Sequence, residues 1–237
     1  MTEETMDDLE GRHVVVTGGT GGLGGAVVDA MLARGATCHI PTREDAAPPG
    51  FERAGHERVR LAFGIDLAAE ASVARFFEQV PRPWASIHLA GGFAMKAIAD
   101  TALADYEAMH RINGLTCFLA CREAVRAMRR GVGGGRIVNV SARPVLRPVG
   151  GMAAYLASKA EVAALTQALA EEVREEGILV NAVVPSIIDT PANRAAMPKA
   201  DHAAWPKPAE IAETIAFLAS PACALTAGAL VPVYGRG

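Results

Sequence analysis

The chain has 237 residues, 51% of them hydrophobic and 21% charged, with a formal net charge of −3. That apolar fraction supplies a sizeable core for one α/β domain, and without a stripe of lysine and arginine there is no electrostatic case for nucleic acid, which leaves a small-molecule partner. The opening MTEETMDDLE is acidic and lacks a signal peptide's basic start and apolar stretch, and no segment reads as an uninterrupted membrane span, so a cytoplasmic protein without membrane association is expected.

Seven short apolar, β-branched runs are predicted as strands: HVVVT (13–17), TCHI (37–40), RLAFG (60–64), SIHLA (86–90), RIVNV (136–140), ILVNAVV (178–184) and ALVPV (229–233). Helical stretches fall near 22–34, 70–79, 103–130, 152–176 and 209–219, each long enough for a right-handed crossover. This alternation predicts a doubly wound parallel seven-stranded sheet between two helical layers, a three-layer α/β/α domain spanning 1–237. Punctuation agrees with the division: Gly35 stops the first helix, GVGGG (131–135) separates a helix from a strand, and Pro208 begins the last helix. Two segments break the rhythm. Residues 44–58 read as a polar loop, and the proline-punctuated 191–208 reads as a loop just beyond a strand end. Ligands of open parallel sheets lie outside the carboxyl ends of the strands, so 191–208 is placed to cover a substrate.

Cys38, Cys117, Cys121 and Cys223 show no CxxC spacing and are read as reduced thiols in the core. Cys117 and Cys121 share a helix face, but no nearby histidine or second cysteine pair completes a ligand set in the sequence, so no metal is expected.

After the first strand, TGGTGGLG carries Gly18, Gly22 and Gly24 into a helix. Glycines permit a tight turn and let backbone N–H groups approach a pyrophosphate at a helix N-terminus. The adenosine ribose of such a ligand lies where the second strand ends. There Thr42 and Arg43 stand in place of a carboxylate, and Arg43 is suited either to a 2′-phosphate, favouring NADP(H) over NAD(H), or to solvent. Asp66 suits either an adenine amino group or a helix cap.

Tyr155 and Lys159 lie four residues apart on one face of the predicted helix. A lysine charge beside a phenol favours the phenolate, so the tyrosine becomes a proton donor and acceptor nearer neutral pH. Together with TGGTGGLG, RIVNVSA and NAVVPSIIDTP, this Y-x-x-x-K resembles the short-chain dehydrogenase/reductase family across nearly the whole chain, with the 3-oxoacyl-carrier-protein reductases as the nearest likeness within it. The resemblance implies a Rossmann-type fold, a nicotinamide cofactor, a homo-oligomer (tetramer or dimer) and an Asn-Ser-Tyr-Lys catalytic set. It makes Tyr155 the proton donor, gives Lys159 the tasks of lowering its pKa and holding the nicotinamide ribose, and places Asn113 behind a proton-relay water. It assigns cofactor contacts to Gly18, Thr20, Gly22, Leu23, Gly24, Arg43, Asp66, Leu67, Ala90, Gly91, Tyr155, Lys159, Pro185, Ile188 and Thr190.

Two positions depart from the family pattern. His88 and Leu89 stand where two asparagines commonly precede Ala-Gly, so a sheet-stabilising hydrogen bond is either lost or supplied by the imidazole. The catalytic serine commonly stands thirteen residues before the tyrosine, which here is Ala142; Ser141, at fourteen, takes its place if the strand end bulges. The leading expectation is an NADP(H)-dependent oxidoreductase interconverting a ketone and a secondary alcohol. The alternative is a protein of this fold that binds the cofactor but whose redox chemistry is lost or repurposed, as in a regulator or a non-redox cyclase or isomerase.

Overall fold

A computed structural model describes residues 8–131 and 133–236. The acidic opening through residue 7, Val132 of the GVGGG segment and Gly237 lie outside the described residues. The strands are β1 (His13–Thr17), β2 (Thr37–Pro41), β3 (Val59–Ala62), β4 (Pro83–His88), β5 (Gly135–Val140), β6 (Ile178–Pro185) and β7 (Leu230–Val233). All pair in parallel in one seven-stranded sheet ordered β3-β2-β1-β4-β5-β6-β7. The order reverses between β1 and β4, which opens a crevice at their carboxyl ends.

The central strands carry continuous apolar runs because both of their faces are covered. Along β1, Val14 and Val16 join Ile40, Ile87, Val138 and Val183 on one face. Helix α1 (Gly24–Leu32) covers that face with Val27, Val28 and Met31. Val15, Ile137 and Val180 line the opposite face under Phe76 and Phe77 of α2 (Glu70–Glu78). Truncating a side chain such as Ile137, which is 0% exposed, to alanine costs about 2–5 kcal/mol.

The predicted helix 103–130 is interrupted. Helix α3 (Leu103–Met109) passes into a π-helical turn, His110–Leu115, before α4 (Thr116–Met128) resumes regular geometry. A π-turn adds one residue per turn and often marks a functional position. The next helix, α5 (Ala153–Glu172), ends in a single 3-10 turn at Arg174–Glu176.

The segment 191–208 is not a plain loop. It contains the short helix α6 (Pro191–Ala196), capped by Thr190 Oγ1 accepting the Asn193 N–H at 3.2 Å, and a 3-10 turn at His202–Ala204. Six residues, PANRAA, with three alanines and no apolar stripe leave no periodic signal. Helix α7 (Pro208–Ala219) then packs Ile211, Ile215 and Leu218 onto the α1 face. Strand β3 ends before the predicted Phe63-Gly64, where Phe63 is exposed and Gly64 turns at φ 67°.

Candidate active site

The turn between β1 and α1 is fitted closely to its neighbours. Gly18 has φ 67°, and a Cβ there would stand 2.8 Å from the Ala90 nitrogen. A Cβ on Gly22 would meet Thr190 Cγ2 at 3.0 Å, so the loops after β1, β4 and β6 converge. Thr20 and Leu23 are half-buried in the same turn. Helix α1 carries no side-chain cap and no acidic residue in its first turn, which leaves its positive N-terminal end for an anion. These residues fit a pyrophosphate and thus a dinucleotide.

At the adenosine end, Arg43 follows β2 with 74% of its side chain exposed and its Nη2 3.4 Å from Asp66 Oδ1. Asp66 Oδ1 also accepts the Ala68 N–H at 2.9 Å in a turn ahead of α2, whose N-cap is Ala69 without a side-chain bond, so Asp66 closes that turn rather than capping the helix. Its Oδ2 accepts from Arg111 Nη2 at 3.1 Å, a partner the sequence did not announce. The Ala68 N–H, then the Arg43 and Arg111 guanidinium charges, hold the Asp66 carboxyl below its ordinary value. Leu67 beside it is half-buried.

The residues expected to move the proton lie around the ends of β4 and β5. Asn113 sits inside the π-turn, where its Nδ2 donates to Gly92 O and Ser158 Oγ, both at 3.1 Å, and its Oδ1 accepts the Gly92 N–H at 3.0 Å. Lys159 Nζ donates to Val140 O at 2.9 Å. A Cβ on Gly91 would lie 2.6 Å from Asn113 Oδ1 and 3.2 Å from Lys159 Nζ, so the missing side chain leaves room for these two groups to approach. Tyr155 lies one turn before Lys159 on α5, and its ring packs edge-to-face on Phe93 at 4.9 Å.

The sequence reading has the lysine charge lowering the phenol; in the protein without its cofactor, burial is the main influence on both groups. Burial pushes Tyr155 up to about 12 and pulls Lys159 down to about 8, because the neutral form of each is favoured away from water.

Ser141 also departs from its expected place. Its N–H continues the sheet by donating to Val183 O at 3.0 Å, so β5 carries no bulge there. Its hydroxyl, 1% exposed, donates to Lys159 O at 2.8 Å and is occupied by the α5 backbone rather than facing a substrate. Ala142 is extended, with φ −155° and ψ 148°, so its methyl projects to the opposite side.

His88 supplies the hydrogen bond left open at the departing asparagine position. Its Nδ1 pairs with Asn139 Oδ1 and its Nε2 with Ser86 Oγ, both at 2.8 Å. It also lies beside Cys117 and Cys121, which corrects the expectation that no histidine stands near them; the pairing joins β4 to α4, with His88 and Cys121 33 residues apart, and has no local signature.

Pro185 ends β6, and Ile188 O accepts from both Asn193 Nδ2 and Thr190 N at 2.8 Å, which fixes the loop entering α6. The loop after β4 is tied to the start of α5 by Lys96 N–H donating to Gly151 O at 2.6 Å.

The sequence profile of the family described as short chain dehydrogenase matches residues 12–201. The chain is a member of the short-chain dehydrogenase/reductase family. It is 34% identical over 242 residues to a cis-4-hydroxycyclohexanecarboxylate dehydrogenase of Sinomonas cyclohexanicum, covering 94% of this chain and 95% of that protein. It is 27% identical over 252 residues to the 3-oxoacyl-[acyl-carrier-protein] reductase MabA of Mycobacterium bovis, covering 99% and 96%. A short-chain dehydrogenase/reductase from Serratia marcescens superposes with a TM-score of 0.86 at 29% identity, covering 97% of this chain and 98% of that one. Membership makes this short-chain dehydrogenase/reductase an NAD(P)-dependent oxidoreductase. Among the described residues no helix is long and apolar enough to cross a membrane.

Proposed function

We propose that this protein is an NADP(H)-preferring oxidoreductase that interconverts a small ketone and its secondary alcohol, with Tyr155 as proton donor. The observation that carries the reading is the convergence of Asn113, Lys159 and the side-chain-free Gly91 one helical turn from Tyr155. The nicotinamide, when bound, supplies or accepts the hydride at the carbonyl carbon. Tyr155 gives its proton to the carbonyl oxygen, and Lys159, with a water held at Asn113, replaces it. Pro185, Ile188 and Thr190 hold the cofactor's carboxamide end, and Arg43 meets the 2′-phosphate.

The substrate lies between Phe93 and the 191–208 segment. Phe93 and Met95 are 62% and 61% exposed, which supports an apolar entrance. The relative that acts on a hydroxycyclohexanecarboxylate and the relative that reduces 3-oxoacyl thioesters define two substrate classes worth testing first. The protein works as a cytoplasmic homo-oligomer, dimer or tetramer, a reading supported by exposed Phe118 on α4 and Phe217 on α7.

A second reading rests on one observation: neither Ser141, bonded to Lys159 O, nor Ala142, which has no hydroxyl, offers a donor beside Tyr155. Under it the cofactor binds but the protein serves as a regulator or a non-redox cyclase or isomerase. NADPH oxidation followed by absorbance against cyclic ketones, 3-oxo acids and 3-oxoacyl thioesters separates the two. Turnover with any of them supports the reductase; tight NADPH binding with no turnover across the panel supports the second reading.

A further inference from the structure

We propose that Cys117, Cys121 and His88, with the side-chain oxygen of Asn139, form a binding site for one zinc ion per chain, buried between the sheet and α4. The three thiol and imidazole ligand atoms lie within 4.8 Å of one another. Cys117 Sγ stands 4.0 Å from Cys121 Sγ, and Cys121 Sγ stands 3.5 Å from both His88 Nδ1 and Asn139 Oδ1. Zinc–sulfur bonds of about 2.3 Å and zinc–nitrogen bonds of about 2.0–2.1 Å, set tetrahedrally, keep sulfur pairs about 3.8 Å apart and sulfur–nitrogen pairs about 3.5 Å apart. The three edges at Cys121 are therefore close to those of an occupied site. His88 Nδ1 to Asn139 Oδ1, now a 2.8 Å hydrogen bond, must widen, and the ion would replace that bond with two of its own, while Cys117 and His88, within 4.8 Å of each other, close on the ion.

The surroundings resemble a built site rather than a chance meeting of thiols. His88 Nε2 is already paired with Ser86 Oγ, the kind of outer contact that fixes the ring and aims the other nitrogen at a metal. Asn139 Nδ2 donates to Thr166 Oγ1 at 2.9 Å, which points its oxygen back toward the cysteines. All four donors are at most 5% exposed. Binding forms two Zn–S bonds, one Zn–N and one Zn–O bond; it breaks two S–H bonds whose protons leave to solvent, and the imidazole proton moves from Nδ1, where it is donated to Asn139 Oδ1, to Nε2, where Ser86 Oγ accepts it, so the two thiolates balance the dication and no buried charge is left over.

The test uses the full-length protein produced in zinc-supplemented and zinc-depleted media. After exhaustive dialysis against a chelator, the supplemented wild type is expected to retain one zinc per chain by elemental mass spectrometry. Cobalt(II) introduced in place of zinc is expected to show thiolate charge-transfer and tetrahedral ligand-field absorption. Cys121→Ala, with alanine keeping the helix, is expected to retain at least tenfold less metal and to lose the cobalt signature. Should that variant fail to fold, Cys117→Ala gives the same reading, and the wild-type cobalt spectrum stands independently. Retention below one-tenth of an equivalent in the wild type, an octahedral cobalt spectrum, or equal retention by the cysteine variants overturns the proposal.

Discussion

Ser141 Oγ donates to the carbonyl oxygen of Lys159 across 2.8 Å, fastening the end of β5 to the turn of α5 that carries the site lysine. The hydroxyl is thereby structural. Ser141→Ala is expected to lower stability by about 1 kcal/mol, the net worth of one buried hydrogen bond, with less than about threefold change in kcat. Ala142→Ser, at the position where the resemblance puts a serine, is expected to raise kcat on simple ketones at least tenfold, since one donor to a developing oxyanion is worth on the order of 10² to 10³. Thermal unfolding and steady-state kinetics of the two variants check this; a tenfold loss of kcat in Ser141→Ala with unchanged Tm would reverse the assignment.

Tyr155→Phe removes the transferable proton and keeps the ring that packs on Phe93. Turnover is expected to fall by about 10² to 10⁴ while the NADPH Kd changes little. Lys159→Ala is expected to weaken both, because it takes away a cation at the site and leaves the Val140 carbonyl without its donor. Fluorescence titration of NADPH beside the kinetics distinguishes the two, and a Tyr155→Phe enzyme that retains wild-type kcat would mean another group donates the proton.

The Arg43–Asp66 contact is an exposed pair at 3.4 Å, worth at most about 1 kcal/mol, so the guanidinium is readily drawn to a stronger anion. A charge-assisted pair with a 2′-phosphate contributes about 1.5–3 kcal/mol, so Arg43→Ala is expected to raise the NADPH Kd roughly tenfold to a hundredfold and leave NADH nearly untouched. Calorimetric titration of both cofactors measures the ratio, and equal wild-type affinities would remove the basis for the preference.

His13 and His39 meet on adjacent strands β1 and β2, Nδ1 to Nε2 at 2.9 Å. Burial, then the charges of His13 and Arg60, pull His39 down from 6.5 to about 4. A histidine lowered in the folded state takes up its proton first when unfolded, so its contribution is whole above about pH 6.5 and is lost as pH falls toward 4. The loss is on the order of 1–3 kcal/mol, allowing for solvent at the half-buried ring. Denaturant unfolding between pH 7.5 and about 4.5 is expected to show a shallower decline for His39→Gln than for wild type; parallel declines would remove the pair from the acid sensitivity.

What was legible in the sequence follows from how local its cause is. HVVVT marks β1 at both ends, because an apolar run buried on both faces stops where Gly18 turns at φ 67°. Tyr155 and Lys159 were legible because their helical spacing stands beside TGGTGGLG, RIVNVSA and NAVVPSIIDTP in one chain. HRINGL carried no sign of a π-turn, since that turn is held from outside, for example by His110 Nδ1 on Glu161 Oε2 of α5 at 2.8 Å. Arg111 was missed for the same reason, and the His88 cluster because only the packing of α4 on β4 assembles it. The position of Ser141 was a matter of register, and the pairing of its N–H with Val183 decided it.

The π-turn at His110–Leu115 also works as a phase adjuster between two helices of different duty. Each residue advances an α-helix by about 100°, so one surplus residue rotates everything beyond it by that much relative to an unbroken coil. Upstream, α3 presents Leu103 and Tyr106 at 72% and 50% exposure; downstream, α4 buries Leu119, Ala120 and Ala124 against the sheet. Deleting a single residue between positions 110 and 115 would cost little in backbone hydrogen bonds, because the regular ladder would close over the gap. It would nonetheless turn Asn113 away from Gly92 or α4 away from its seat, so in this stretch the chain tolerates changes of residue type far better than changes of length.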